Sequence, residues 1–293
     1  MSDKSLVRSA FDQAADTYDA SAALQREVVE RMAEKLEIVK LEPLRMLDVG
    51  CGTGYAGPFL EKRFPKAELV ELDLAPGMLR ATRARQPGGW KRWLAELQGK
   101  RFPVQVCGDV EALPLASESV DLVWSSLALQ WCDTLDQAFS ECLRVLKPGG
   151  LFLFSTLGPD TLKELRQAFA GIDGHAHVNR FTDMHDVGDT LARVGFSSPV
   201  MEMEMLTMTY ETVRDVLRDL KGIGAHSLRD GRRSGLMGKA AWRAMEASYE
   251  RFRTDGFLPS SYEVLYGHAW KPHGEPAATD KAQVIDFHPR TPK

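Results

Sequence analysis

The chain is poor in the features that mark several protein classes. Its four cysteines, Cys51, Cys107, Cys132 and Cys142, form no CxxC pair and no secreted-scaffold spacing. That argues against a disulfide framework and for reduced thiols in a cytoplasmic protein. No apolar run approaches the roughly 18 residues a membrane helix needs, and residues 1–12 have no apolar core for a signal peptide. A formal net charge of −4 leaves no bulk basic field for nucleic acid or an anionic membrane. There is no phosphate-loop lysine after the glycines, and no convincing Ser/His/Asp set for nucleophilic catalysis. His175 and His177 have a metal-like spacing but no third ligand beside them, so no metal is expected. A soluble protein of 293 residues remains, long enough to bury a sizeable core unaided.

What is present is rhythm. Residues 1–40 read as helical, with Val28, Val29, Met32, Leu36 and Val39 at helical spacing. Short apolar runs then alternate with helical stretches, the pattern of a parallel sheet with crossover helices. Strands are predicted at 45–49, 67–72, 104–106, 120–125 and 151–155, with helices at 55–64, 76–85 and 135–146. Residues 87–101 read as an irregular insertion carrying two tryptophans, and Lys147-Pro148-Gly149-Gly150 as a helix stop and turn. Beyond them, 160–169 and 183–194 look helical. Met201 to Met205 alternates strictly with glutamate, indicating a strand with one buried face. Residues 262–270 form a last strand candidate, and the helical stretch between is too long for a connection. The expected fold is α/β: a Rossmann-like, mostly parallel seven-stranded sheet with helices on both faces and a helical cap inserted between the last two strands. The expected divisions are a helical lid (1–40), a core (41–210), the cap (211–258), the last core strand (259–271) and a flexible tail (272–293).

The sharpest local signal is LDVGCGTG, residues 47–54, which follows a strand and opens a helix. Glycines there admit positive φ and close approach of a ligand. The spacing is GxGxG, so a diphosphate is not the obvious ligand. Nineteen positions after Gly54 comes Asp73, at the predicted end of the second strand. A carboxylate at about that distance can accept both ribose hydroxyl protons; the alternative is a solvated turn aspartate, and Glu71 is a rival that strand alternation points away. Asp109, just past the third strand, can accept from an adenine amino group or act as an N-cap. The fourth strand ends at Ser125-Ser126-Leu127. Ligands of open α/β sheets sit outside such strand ends.

Together, LDVGCGTGY, VELDLAPGML (70–79), VCGDVEALPLASESVDLV (106–123) and LRVLKPGG (143–150) resemble the motif series of class I S-adenosylmethionine-dependent methyltransferases. The resemblance implies that Gly50, Gly52 and Gly54, with Cys51 in the same loop, face the methionine part of that cofactor. It implies Asp48 near the amino group, Asp73 on the ribose, Asp109 and Val110 on the adenine, and Ser126 and Leu127 beside the sulfonium. Leu74 and Met78 pack on the adenine face or in the core. The segment FDQAADTYD (11–19) resembles the one that folds over the cofactor in small-molecule members, so Tyr18 is read as a lid residue or a helix-packing tyrosine.

The C-terminal half is more selective. NRFTD (179–183), LKGIGAH (220–226), GLMG (235–238) and LPSSYEVLYGHAW (258–270) resemble the malonyl-acyl carrier protein O-methyltransferases of biotin synthesis. That family esterifies a free carboxylate, which is ionised near neutral pH and needs no general base. Arg180, Lys221 and His226 are the candidates to orient it, or are surface and helix-end charges. Arg229, Arg232, Arg233, Lys239 and Arg243 make a basic stretch that suits an acidic carrier protein, or a solvated helix face. A monomer is expected. The rival readings are a cofactor-binding respiratory-complex assembly factor with protein arginine hydroxylase activity, and a quinone or small-acid methyltransferase.

Overall fold

The computed structural model describes residues 4–97, 101–172, 175–224 and 238–274. Helices α1 (Lys4–Ala14), α2 (Tyr18–Ser21) and α3 (Ala23–Glu37) lead into β1 (Arg45–Val49). Then come α4 (Gly57–Arg63), β2 (Glu68–Asp73), α5 (Pro76–Arg85), α6 (Gly89–Leu97), β3 (Val104–Cys107) and β4 (Val120–Ser126). The next stretch comprises a 3-10 turn (Leu129–Trp131), α7 (Leu135–Val145), β5 (Leu146–Leu157), α8 (Lys163–Phe169) and α9 (Met184–Val194). The chain continues with β6 (Ser197–Tyr210), α10 (Val213–Gly222), α11 (Lys239–Glu250) and β7 (Leu258–Trp270).

The seven strands form one sheet in the order β3-β2-β1-β4-β5-β7-β6. The first five run parallel, and β7 is antiparallel to both its neighbours. Strand order therefore reverses between β1 and β4, which opens a crevice at their carboxyl ends. Alternation divides the interior between the two faces. Met46, Trp124 and Leu153 pack with α3, α4 and α8, while Leu47, Val123, Phe152 and Phe154 pack with α7 and α9. Helix α3 buries Leu24, Val28, Val29, Met32 and Leu36 on one stripe. Val39, expected on that stripe, lies beyond the helix end. Pro76 occupies the first turn of α5, where its missing N–H is harmless. Asp183 caps α9 by accepting from the His185 N–H, and Gly195 ends that helix at φ +110°.

Three expectations need correction. The insertion at 87–101 contains α6, not irregular chain. Trp90, Trp93, Leu94 and Leu97 recur at helical spacing but remain exposed, Trp90 by 69% and Trp93 by 62%. The flanking Pro87-Gly88-Gly89 masked the helical period. The Lys147–Gly150 stretch follows directly on the end of α7 at Val145, as expected of a helix stop, but it belongs to β5, which begins at Leu146, and is not a turn ahead of the strand. The Gly149 N–H donates to the Lys271 carbonyl, and the Lys271 N–H to that of Gly150. In β6 the expected buried face is missing: no residue of the strand is buried, and Met203 and Met205 are 48% and 39% exposed. The glutamates point toward α3 instead, Glu202 to Lys35 and Glu204 to Arg31. β6 is an edge strand, and ion pairs on one side of it replace apolar cover.

Helices α10 and α11 lie between β6 and β7, where the cap was expected, and bury Val213, Val216, Leu220, Met245 and Tyr249 in the α3 side of the core. The expected tail falls mostly in 275–293, outside the described residues. No helix among the described residues is long and apolar enough to cross a membrane.

Candidate active site

The crevice begins where β1 runs into the glycine loop. The Gly50 and Cys51 N–H groups both donate to the Leu72 carbonyl, at 2.7 and 3.0 Å, tying the loop to the end of β2. Gly50, Gly52 and Gly54 have φ of +73°, +55° and +78°. At Gly50 the space is also spoken for: a Cβ would stand 2.3 Å from the Ala128 Cβ.

Asp73, one residue beyond that carbonyl, secures the same loop. Its Oδ2 accepts the Gly52 N–H at 2.9 Å and its Oδ1 the Ala75 N–H at 2.8 Å. Burial pushes this carboxyl up to about 6 despite those two donors, and neighbouring Asp12 adds to the rise. Glu71 is buried, accepts from Gln105 Nε2 at 2.7 Å, and lines none of the cavities described below.

Three adjoining cavities occupy the crevice. The first, about 710 Å³, is lined by Tyr18, Gly50, Gly52, Asp73, Leu74, Met78, Asp109, Val110, Ser126 and Leu127, all expected from the sequence. Lys4, Phe11, Glu111 and Trp131 also line it and were not expected. Asp109 accepts the Glu111 N–H at 3.0 Å and pairs with Lys4 of α1, which also pairs with Glu111. Asp12 accepts the Gly77 N–H, so α1 is latched across the crevice at two points.

The second space, about 440 Å³, lies at the glycine loop and takes in Asp48, Cys51, Gly50, Gly52, Gln25 and Arg26. Asp48 is buried with Oδ2 unpartnered, and burial followed by the nearby Glu71 and Asp73 raises its carboxyl well above the ordinary range. An orphaned acid in a dry site fits a ligand that brings a positive charge. Burial and the same acids push up the Cys51 thiol too, which leaves it un-ionised. Gly54 lines neither space. It lets the loop pass Thr82, whose Cγ2 would lie 2.6 Å from a Cβ there.

The third cavity, about 730 Å³, shares Phe11, Tyr18, Leu127 and Trp131 with the first. It extends away between α3, α8 and α10, past Leu24, Gln25, Gln130, Thr161, His177 and Tyr262. Its walls are chiefly apolar. Neither Arg180 nor Lys221 lines it; both are exposed, although their neighbours Asn179, Phe181 and Leu220 do line it. The structure thus places neither side chain on the wall of this cavity. His226, Arg229, Arg232 and Arg233 lie outside the described residues; Lys239 and Arg243 are exposed on α11. Among the described residues no cluster of three or more His, Cys, Asp or Glu side chains could hold a metal.

An open sheet with reversed strand order, a glycine loop and a carboxylate at the next strand end define the Rossmann-like methyltransferase fold. Residues 47–154 match the family described as a methyltransferase domain. The YcgJ protein of Bacillus subtilis has the same fold, with a TM-score of 0.57 at 14% identity over 85% of this chain and 99% of its own. A candidate methyltransferase from Bacillus halodurans superposes with a TM-score of 0.55 at 18% identity, over 83% and 98% of the two chains. Sequence relatives resolve the family. The malonyl-acyl-carrier-protein O-methyltransferase of Laribacter hongkongensis is 56% identical over 99% of this chain and 97% of its own length. The protein of the same name from Gallionella capsiferriformans is 57% identical over 92% and 91%. The chain belongs to the malonyl-acyl-carrier-protein O-methyltransferase family, and it is a methyltransferase.

Proposed function

We propose that this protein transfers the methyl group of S-adenosylmethionine to the free carboxylate of a malonyl group carried on acyl carrier protein. The product would be the malonyl methyl ester that starts pimeloyl and biotin synthesis, in the cytoplasm where the carrier protein works. The observation that carries this reading is the junction of two cavities at Phe11, Tyr18, Leu127 and Trp131. The first cavity carries Asp73 and Asp109 among apolar walls and suits a nucleoside; the other, also chiefly apolar, lies beyond the shared residues and suits an acyl-pantetheine arm.

In this reading Asp73 accepts from the two ribose hydroxyls, using the lone pairs its backbone donors leave free. Asp109 and the Val110 backbone meet the adenine edge, Leu74 and Met78 its faces, and Asp48 the cofactor's ammonium. The cofactor supplies an electrophilic methyl on a sulfonium. Ser126 and Leu127 sit beside that methyl, and Tyr18 closes over it. The acceptor carboxylate is already ionised at neutral pH. Its oxygen would form the new bond to the methyl carbon as the carbon–sulfur bond broke with its electron pair left on sulfur, so the residues around it would need to move no proton. The protein's contribution is alignment and exclusion of water. The α1–α2 segment serves the second purpose through its Lys4 and Asp12 latches. The exposed Lys239 and Arg243 of α11 fit a face that steers an acidic carrier protein inward.

The test is incubation with S-adenosylmethionine and malonyl-acyl carrier protein, followed by mass spectrometry of the carrier protein. The expected gain is one methylene, about 14 Da, absent with acetyl-acyl carrier protein, which has no carboxylate to align. No gain from a protein that still binds the cofactor would move the assignment to a small-acid acceptor or an assembly role.

A further inference from the structure

A carboxylate that enters the long cavity gives up its water and must find donors there. The obvious suppliers are cations, yet among the described residues no lysine or arginine lines this space. Uncharged donors do, and three of them have no hydrogen-bond partner among the described residues. Gln25 stands in the first turn of α3, and its side-chain amide, whose Nε2 offers two N–H donors, has no hydrogen-bond partner among the described residues. Trp131, in the turn after β4, has an indole N–H with no partner among the described residues. The Tyr18 hydroxyl is likewise unengaged there. All three line the long cavity; Tyr18 and Trp131 also line the first, and Tyr18 and Gln25 the space at the glycine loop, so the set borders both neighbouring spaces. Phe11 holds two of them in place: its ring centroid is 5.3 Å from that of Trp131, edge-on, and 6.5 Å from that of Tyr18. Burial, then Asp73 and Asp19, raise the Tyr18 phenol well above its ordinary value, so it stays a donor throughout the working pH range.

We infer that the acceptor carboxylate is gripped by this neutral set, Gln25 and Trp131 with Tyr18, and not by a cation. The inference rests on the reading of the long cavity as the malonyl site. Its physical sense lies in the charge change of the reaction. Carboxylate and sulfonium are both charged before transfer, and ester and thioether are both neutral after it. A lysine or arginine paired with the carboxylate would stabilise the ground state more than the transition state, in which that charge is fading, and so would slow the step. Neutral donors satisfy the desolvated oxygens yet leave a lone pair free to attack.

Kinetics of Gln25→Leu and Trp131→Phe test this, the second keeping the ring and removing only the N–H. Loss of one hydrogen bond to a charged group is expected to lower kcat/KM for malonyl-acyl carrier protein by about 10-fold or more in each. The dissociation constant of S-adenosylhomocysteine should stay within about threefold, because the lost bond belongs to the acceptor. Gln25→Glu, of the same shape but repelling the carboxylate, should fall further than Gln25→Leu; equal losses would mean that Gln25 merely packs, and would refute its part. Arg180→Gln, Lys221→Gln and His226→Gln, assayed with malonyl-pantetheine so that carrier docking plays no part, should keep wild-type kcat/KM. A loss of about 10-fold in any of these, with Gln25→Leu and Trp131→Phe near wild type, would overturn the inference in favour of a charged grip. A parallel collapse of S-adenosylhomocysteine binding in Gln25→Leu and Trp131→Phe would also overturn it, by assigning those donors to the cofactor. Wild-type protein inactive on every malonyl thioester would remove the malonyl reading itself, whatever the variants did.

Discussion

Replacing Asp73 with asparagine separates the two tasks this side chain performs. In the protein alone, its two oxygens hold the N–H groups of Gly52 and Ala75 at 2.9 and 2.8 Å. In the proposed complex, the same oxygens would accept two ribose hydroxyls as well. Hydrogen bonds to a charged acceptor contribute roughly 1.5–3 kcal/mol each. Two of them amount to about 3–6 kcal/mol, or roughly 100-fold upward in affinity. Asparagine keeps one acceptor, so the lower end is expected: S-adenosylhomocysteine binds about 100-fold more weakly by calorimetry. Stability should behave differently. A carboxyl held at about 6 instead of the ordinary value near 4 disfavours the fold at pH 8 by about 3 kcal/mol, and asparagine removes that burden. Asparagine also turns one amide N–H₂ toward a backbone N–H, which costs about 1–3 kcal/mol. The two nearly offset, so Tm should move by no more than a few degrees. Affinity within about threefold of wild type would refute the ribose assignment. A collapse of Tm would show that the loop's need for the carboxylate outweighs its desolvation.

The same group gives a pH dependence with a defined sign. Binding needs the ionised acceptor, so the affinity for S-adenosylhomocysteine should fall as pH drops through about 6, approaching tenfold per unit below it. Folding runs the other way. With a raised folded-state value, the contribution of Asp73 to stability is present below the unfolded value near 4 and is lost as pH rises through about 6. A dissociation constant that stays flat from about pH 7.5 to about 5 would contradict both the burial and the role. At Gly50, alanine meets φ +73° and a neighbour 2.3 Å away, Ala128 Cβ. Left-handed strain of about 1–2 kcal/mol adds to that overlap, so Gly50→Ala should lower Tm and abolish measurable cofactor binding. A variant with wild-type melting and affinity would show that the loop relaxes freely.

The glycine-loop side of the crevice was legible in the sequence, because its signals are local. Glycines at 50, 52 and 54 require a particular backbone, and the apolar run of β2 fixes Asp73 at a strand end. In a parallel sheet, strand ends meet at one crevice whatever the loops do. Helix α3 and the Pro76 start of α5 were legible for the same reason: period and cap are written within a dozen residues. The long cavity, by contrast, is a product of tertiary packing. Gln25, Trp131, Thr161, His177 and Tyr262 come from five separate parts of the chain and share a wall only after the sheet has closed. Sequence proximity to a motif picked out Arg180 and Lys221, but which way an irregular segment or a helix end turns its charge depends on what packs behind it. Both turned outward, because burying an unpaired cation among Leu24, Leu162 and Phe181 would have been more costly than leaving it in water. The methionines of β6 followed the same logic in reverse. An edge strand leaves one face uncovered, and Arg31 and Lys35 on the neighbouring helix drew the glutamates to the other.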